Sequence, residues 1–392
     1  MVHNSIMSEH RPVLVFADDW GRHPSSAQHL IRRRPAGIRV EWIDTIGTRP
    51  PRLDLSTLKR GFGKLRGWFD PKPAETAAPA DPTAPMVHAP RMVPSFASGW
   101  SRRLNAKLLK NALLPLVESL PMPPIVVTTL PLTADLIGVL PVHRWVYYCV
   151  DDFSVWPGYD GASMAAMERD LAPNCAVAIA VGTTLQTHLK QFGHDAHLLT
   201  HGVDLEHWTK PTATLPADIA AMPKPLVLFW GVIDRRMDTA WIQALSAKLT
   251  TGTLLFVGPQ EAPDPTWMKL PRVVVRPPMP FAELPALAQA ADVLIMPYID
   301  APVTQAMQPL KMKEYLATGK PAVVRDLPAV RDWVDALDAA ATADEFAALV
   351  VERIRTGVPT AQIESRKKLQ AEGWPAKAAQ FFAWTEGVTT KV

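Results

Sequence analysis

Short, nearly unbroken apolar runs recur along the chain. Six lie at residues 13–16, 38–43, 125–129, 145–150, 175–181 and 198–201, and five follow at 226–230, 253–257, 272–275, 293–297 and 321–324. Most of these runs lack polar alternation, which fits strands buried on both faces. Stretches with helical spacing separate them. The first runs from Ser25 or Ser26, either of which suits an N-cap, to about Arg34. Others fall near 164–171, 183–191, 281–290 and 309–318, and 344–356, 362–371 and 374–386 close the chain. Strands alternating with helices predict parallel sheets and an α/β fold. Residues 208–225, which hold four prolines, separate the two groups of strands. The expectation is two doubly wound domains, 1–207 and 208–373, followed by a terminal helix at 374–392.

One stretch, about 50–120, interrupts the first domain. Residues 71–94 are rich in Pro and Ala and are expected to lack regular structure. Before them, residues 56–69 interleave Lys59, Arg60, Lys64 and Arg66 with aromatics such as Trp68. After them, 101–120 reads as an amphipathic helix. Arg102, Arg103, Lys107 and Lys110 fall mostly on one side, and Leu104, Leu108, Leu109, Leu113 and Leu114 on the other. Charge sharpens this picture. Residues 49–110 hold twelve Lys/Arg against four Asp/Glu in a chain of net charge +3, so the remainder is net negative. A basic segment studded with Trp, Phe and Leu suits an anionic membrane surface. Lys59, Arg60, Lys64, Arg66, Trp68, Arg102 and Arg103 are its candidate residues; a solvated basic face over an ordinary core stripe is the alternative. No nucleic-acid-binding motif accompanies the patch, and no nucleic-acid partner is expected.

The rest of the composition is that of a globular chain, 48% hydrophobic and 20% charged. No apolar stretch approaches the roughly 18 residues of a membrane span. No basic region followed by an apolar core marks a signal peptide. A cytoplasmic protein is expected, at most applied to the inner face of the cell membrane. Cys149 and Cys175 both sit in apolar runs and read as buried thiols without metal-ligand spacing.

The chemistry concentrates at residues 308–324. Pro309 suits the first turn of a helix, Gly319 its C′ position, and Pro321 forbids continuation. The helix follows a buried strand, so its amino end points to the side where open parallel sheets bind ligands. That end carries unpaired N–H groups and about half a positive charge, which favours phosphate. Lys311 adds a full charge. Glu314, three residues on, shares its face and suits two ribose hydroxyls. The arrangement fits a nucleoside diphosphate. A solvated Lys–Glu pair on a surface helix is the plainer reading of the spacing alone.

The run Pro309-Leu310-Lys311-Met312-Lys313-Glu314-Tyr315-Leu316-Ala317-Thr318-Gly319-Lys320-Pro321 resembles the donor-site helix of bacterial GT-B glycosyltransferases, above all the family 4-like enzymes that build surface polysaccharides. The resemblance implies two Rossmann-like domains facing a cleft, with the terminal helix crossing back onto the first. It implies that Glu314 holds the donor ribose and Lys311 reaches the diphosphate. Residues 231–238 resemble the glycine loop under the donor phosphates, with Gly231 admitting the backbone and Arg235 or Arg236 neutralising charge. Tyr298, Gln308 and Leu310 complete the candidate donor set. One departure stands out: Ala306 occupies the place where many members carry a second Glu against the donor sugar.

Transfer also needs a base if the route is inverting. Asp152 follows a strand end, and Tyr148-x-x-x-Asp152 resembles the run around the catalytic Asp of the inverting xanthan-type glucuronosyltransferase. That enzyme's donor-site Met-Lys pair and His-Gly-Val-Asp turn resemble Leu310-Lys311 and His201-Gly202-Val203-Asp204 here. Asp151 and Asp19 are alternatives, and an Asp at a strand end is often a turn former instead. The pairs Asp18-Asp19 and Asp151-Asp152 raise a metal-dependent reading, but two α/β halves with the nucleotide motif in the second speak for leaving-group stabilisation by cations and a helix dipole. No metal and no cofactor are therefore expected. The implied partners are a nucleotide-sugar donor and a glycan or lipid-linked saccharide acceptor. A sugar-nucleotide epimerase of GT-B-like architecture, or a non-catalytic partner of that fold, would share the donor helix.

Overall fold

A computed structural model of the chain describes residues 10–21, 24–45, 83–210 and 213–387. Lys59, Arg60, Lys64, Arg66 and Trp68 lie outside the described residues. Two compact units are present. The first takes the chain up to Ile179, Leu189–His197 and the residues from Ala378 onward; the second takes Ala180–His188 and Leu198–Lys377.

The first unit is built on a seven-stranded sheet: β1 (Val13–Ala17), β2 (Val40–Asp44), β3 (Met86–His88), β4 (Ile125–Thr128), β5 (Arg144–Cys149), β6 (Val177–Ala180) and β7 (His197–Leu198), in the spatial order β3-β2-β1-β4-β5-β6-β7. β1 runs parallel to both β2 and β4, which places it in the interior of the sheet. Its five residues are all buried, as an unbroken apolar run requires. Ser25 caps the helix Ser26–Arg32 by accepting from the Gln28 amide. The terminal helix Trp374–Glu386 passes into this unit, where Phe381 packs edge-on against Tyr148 at 5.3 Å and Trp384 stacks on His197 at 4.4 Å.

The structure corrects two expectations in the first unit. Met86–His88 is a strand, within the stretch expected to lack regular structure; it pairs parallel to β2, and His88 Nε2 lies 2.6 Å from the buried Glu41 carboxylate. Three residues between prolines are too few to show a period, and the open edge of β2 supplies their backbone partners. The helix at Gly99–Ser119 forms, but its buried stripe is Ser101, Asn105, Leu109, Leu113 and Val117. Polar residues extend the stripe because they are satisfied. Ser98 and Ser101 form a reciprocal cap, and Asn105 bonds the backbone of Val93 and Ser95.

The second unit carries β8 (Leu226–Trp230), β9 (Ile233–Asp234), β10 (Thr253–Val257), β11 (Gln260–Glu261), β12 (Val273–Arg276), β13 (Val293–Met296), β14 (Ala322–Arg325) and β15 (Asp338–Ala340). Six of them form a parallel sheet in the order β12-β10-β8-β13-β14-β15, and β9 pairs with β11 apart. β8, β10 and β13 are buried throughout. Residues 362–371, expected as one helix, are instead the short helix Thr360–Ser365 followed by a 3-10 segment, Arg366–Glu372. Arg366 turns inward there to bond the carbonyls of Ala336 and Lys320, which the tighter winding permits.

Cys149 and Cys175 are free and buried, and burial raises both thiols, Cys175 to about 12. No described helix is long and apolar enough to cross a membrane.

Candidate functional site

The helix Leu310–Ala317 starts after Pro309, and Gly319 follows it at φ 75°, the left-handed stop its sequence position demanded. Met312, Tyr315 and Leu316 anchor it, with the Tyr315 hydroxyl donating to the Ile295 carbonyl at 3.1 Å. This leaves Leu310, Lys311 and Glu314 half-buried.

β8 ends at Trp230, and Gly231 turns the chain at φ 129°. The Lys311 ammonium lies so close that a Cβ on Gly231 would sit 2.1 Å from Nζ. Nζ donates to the Tyr298 hydroxyl at 2.8 Å and lies 4.2 Å from the centre of the Phe229 ring. Among the described residues it forms no ion pair. A half-buried ammonium with only a phenol and an aromatic face for company is set to receive an anion.

Glu314 lies on the same side. The Trp230 indole N–H donates to its Oε2 at 3.4 Å. Burial pushes the carboxyl up to about 7, although Trp230 and Lys311 both favour the charged form. A carboxylate with little compensation is suited to accept hydroxyl donors from a ligand.

The two arginines of the loop part company. Arg236 is buried, 6% exposed, and its guanidinium grips Asp234 through Nε at 3.0 Å and Nη2 at 2.9 Å. Its backbone carbonyl receives the Ile299 amide at 2.7 Å, and Met237 bridges to Tyr298, so the loop is stitched to the strand end behind the site. A charge paired in this way holds the loop's shape. Arg235 points outward and is exposed. Replacing Arg236 with Leu is expected to cost about 3–5 kcal/mol in urea unfolding because Asp234 stays buried alone. Arg235→Ala is expected to leave stability within about 0.5 kcal/mol of the parent while weakening diphosphate binding.

Gln308 reaches towards Gly182, where a Cβ would lie 3.3 Å from its Oε1. Ala306 is buried at the end of a short helix, Pro302–Ala306. Four residues escaped the sequence reading: Phe229, Trp230, Gly182 and Gly258. Gly258 has φ 154° and would place a Cβ 1.9 Å from the Gly231 carbonyl oxygen. A Gly-Pro pair ending a buried run, Val257-Gly258-Pro259, was the available signal for it.

The candidate bases belong to the first unit. Asp152 follows β5, and its Oδ1 accepts from Ser154 N at 3.0 Å and Ser154 Oγ at 2.5 Å, so the turn-forming role is filled. Its second oxygen makes no hydrogen bond among the described residues. Asp151 is half-buried beside it. Asp19 is half-buried after β1; its carbonyl accepts from Gln28 Nε2 at 3.2 Å, while the neighbouring Asp18 carboxylate binds Ser25 and Gln28. Of the candidate surface arginines, Arg102 is turned to Asp135 at 2.8 Å and Asp170 at 2.7 Å, whereas Arg103 is exposed. Bridging two carboxylates removes Arg102 from a free basic face.

Residues 224–355, within the second unit, match the family described as Glycosyl transferases group 1. Over 137 residues the chain is 31% identical to "Putative teichuronic acid biosynthesis glycosyltransferase TuaH" of Bacillus subtilis; the match spans 34% of each protein. Among solved structures, sucrose-phosphate synthase from Thermosynechococcus elongatus superposes with a TM-score of 0.69 at 17% identity, covering 96% of this chain and 98% of that one. Anabaena HepE, in complex with UDP and glucose, gives 0.65 at 14% identity, covering 96% and 99%. The architecture, two parallel-sheet α/β units and a terminal helix that returns to the first, is GT-B.

Proposed function

We propose that the protein is a glycosyltransferase that moves a sugar from a nucleoside diphosphate donor to a glycan or lipid-linked saccharide in polysaccharide assembly. The observation that carries the reading is the Lys311 ammonium, in no ion pair among the described residues, seated on the Gly231 turn at the amino end of a helix whose next turn offers Glu314. The group 1 match over the same residues and the UDP bound by HepE support it.

In this reading the diphosphate lies over Gly231 against Lys311, the first N–H groups of the helix and Arg235, while Glu314 accepts the ribose hydroxyls. Tyr298 orients Lys311, and Gln308 and Leu310 line the same end of the helix. As the glycosidic bond breaks, charge grows on the leaving phosphate oxygen, where an ammonium and a helix terminus stabilise it without rearranging. Asp152, one oxygen pinned by Ser154, is the base that takes the acceptor hydroxyl's proton in an inverting displacement. In this reading Arg103, exposed, joins the basic residues at 59–66 in meeting an acceptor-bearing anionic membrane surface.

A thermal-shift series with UDP-, GDP-, ADP- and dTDP-sugars tests the donor. Stabilisation that grows with ligand concentration is expected for one base and is lost in Lys311→Ala. Asp152→Asn is expected to lower turnover about 10²–10⁴-fold with donor binding intact. Ala306, apolar where a second carboxylate would meet the donor sugar, favours one rival: a protein that binds the nucleotide and transfers nothing. Donor binding without turnover against any saccharide acceptor would establish that rival.

A further inference from the structure

Lys311 and Lys313 are two positions apart on one helix and so leave it on opposite sides. Lys311 serves the glycine turn. Lys313 is buried, 2% exposed, and its ammonium donates to Thr200 Oγ1 at 3.0 Å, to the His201 carbonyl at 2.5 Å and to the Glu372 carboxylate. Lys377 approaches the same groups, Thr200 Oγ1 at 3.2 Å and Glu372 at 2.8 Å.

The residues that surround Lys313 lie on the two segments by which the chain enters and leaves the second unit, at Leu198 and after Lys377. These segments are joined to each other. Val203 bridges to Gly373, its amide donates to the Glu372 carbonyl at 2.9 Å, and Gly202 lies where any Cβ would fall 2.7 Å from the Trp374 ring. A buried ammonium is costly, and burial pulls this one down to about 8 against the opposing pull of Glu372. Packing alone would be served as well by an apolar side chain of the same length. What the ammonium adds is three directional bonds that fix one helix to two chain segments at once.

We propose that Lys313 is a positioning residue that couples the diphosphate-binding end of the Leu310–Ala317 helix to the paired segments at Thr200–Val203 and Glu372–Trp374. Capture of a ligand by Lys311 and Glu314 then orders these segments, and their loosening releases the helix. The inference rests on the donor-site reading for its ligand and its probe, and on the Lys313 bonds alone for the tie between helix and segments.

The test is amide hydrogen exchange on the full chain, with and without UDP, in the parent, Lys313→Met and Glu372→Gln. Without ligand, Lys313→Met is expected to speed exchange of the Val203 amide and of the helix amides at Met312–Glu314 together, by about tenfold or more. With UDP, the parent's Val203 amide is expected to slow, while in Lys313→Met the slowing stops at the helix although UDP still binds. Glu372→Gln, which keeps the shape and removes the charge, should give an intermediate loss of that transmission. Equal slowing at Val203 in parent and Lys313→Met would overturn the proposal, as would acceleration at Val203 with an unchanged helix. If no nucleoside diphosphate binds the parent, the donor reading falls, and the ligand-free comparison alone decides the role of Lys313.

Discussion

Glu314→Gln is expected to make the ligand-free protein more stable at pH 8 while abolishing tight donor binding. The carboxyl has its pKa raised by burial from 4.5 to about 7. A raised value means that the native state holds the proton more firmly than the unfolded chain does. The corresponding stability is complete below about pH 4.5 and is lost as pH climbs through 7. At pH 8 the parent therefore carries a buried charge that glutamine does not. Allowing for its partial exposure, the relief is about 1–2 kcal/mol, or a few degrees in the melting midpoint of the second unit. At pH 5 the gain should vanish. Donor affinity should move the other way, falling about 10–100-fold with the loss of charge-assisted bonds to the ribose hydroxyls. The parent should itself lose affinity below pH 7, up to tenfold per unit, because the carboxylate must be ionised before it accepts. Calorimetric melting at pH 5 and pH 8, with titration of UDP at each, checks both signs. A variant less stable at pH 8 would mean that Glu314 is held by partners rather than strained by burial.

Gly258→Ala is expected to be the most disruptive single-atom addition in the donor unit. Its φ of 154° is one that side chains rarely adopt, and the new Cβ would meet the Gly231 carbonyl oxygen at 1.9 Å. Backbone cannot step aside as a flexible side chain can. The cost should be about 2–4 kcal/mol in urea unfolding. Displacing Gly231 also moves the turn on which Lys311 rests, so UDP binding should fail under conditions where the variant remains folded. Gly319→Ala is the control. It too has a positive φ, 75°, but nothing lies within 4 Å of its Cβ, so it should cost about 1–2 kcal/mol and leave nucleotide affinity unchanged. Equal effects of the two substitutions would show that conformation, not the clash with Gly231, governs the site.

The parallel sheets and the helix Leu310–Ala317 were legible because they depend on local pattern. Leu226–Trp230 and Thr253–Val257 form where the apolar runs lie, and Gly319 ends its helix as its position required. Strand Met86–His88 was not legible, since its stability comes from the edge of β2 rather than from its own three residues. The same limit applied to the site. Lys311 and Glu314 stand in one motif, but that Asp234, two residues before Arg236, folds back to pair with it was not legible. Gly258 and Trp230 matter through neighbours that are distant in sequence. Lys313 is buried because Thr200 and Glu372 close over it, and neither is near it in sequence.

The two sulfurs of this chain have a practical bearing. Both are enclosed, and both stay protonated at neutral pH. The thiolate, not the thiol, attacks alkylating dyes, so the folded protein offers a silent background to such reagents. One cysteine introduced at the exposed position of Arg235 would take up a fluorophore alone and register occupancy beside the glycine turn by optical means, with no need to strip out native residues first.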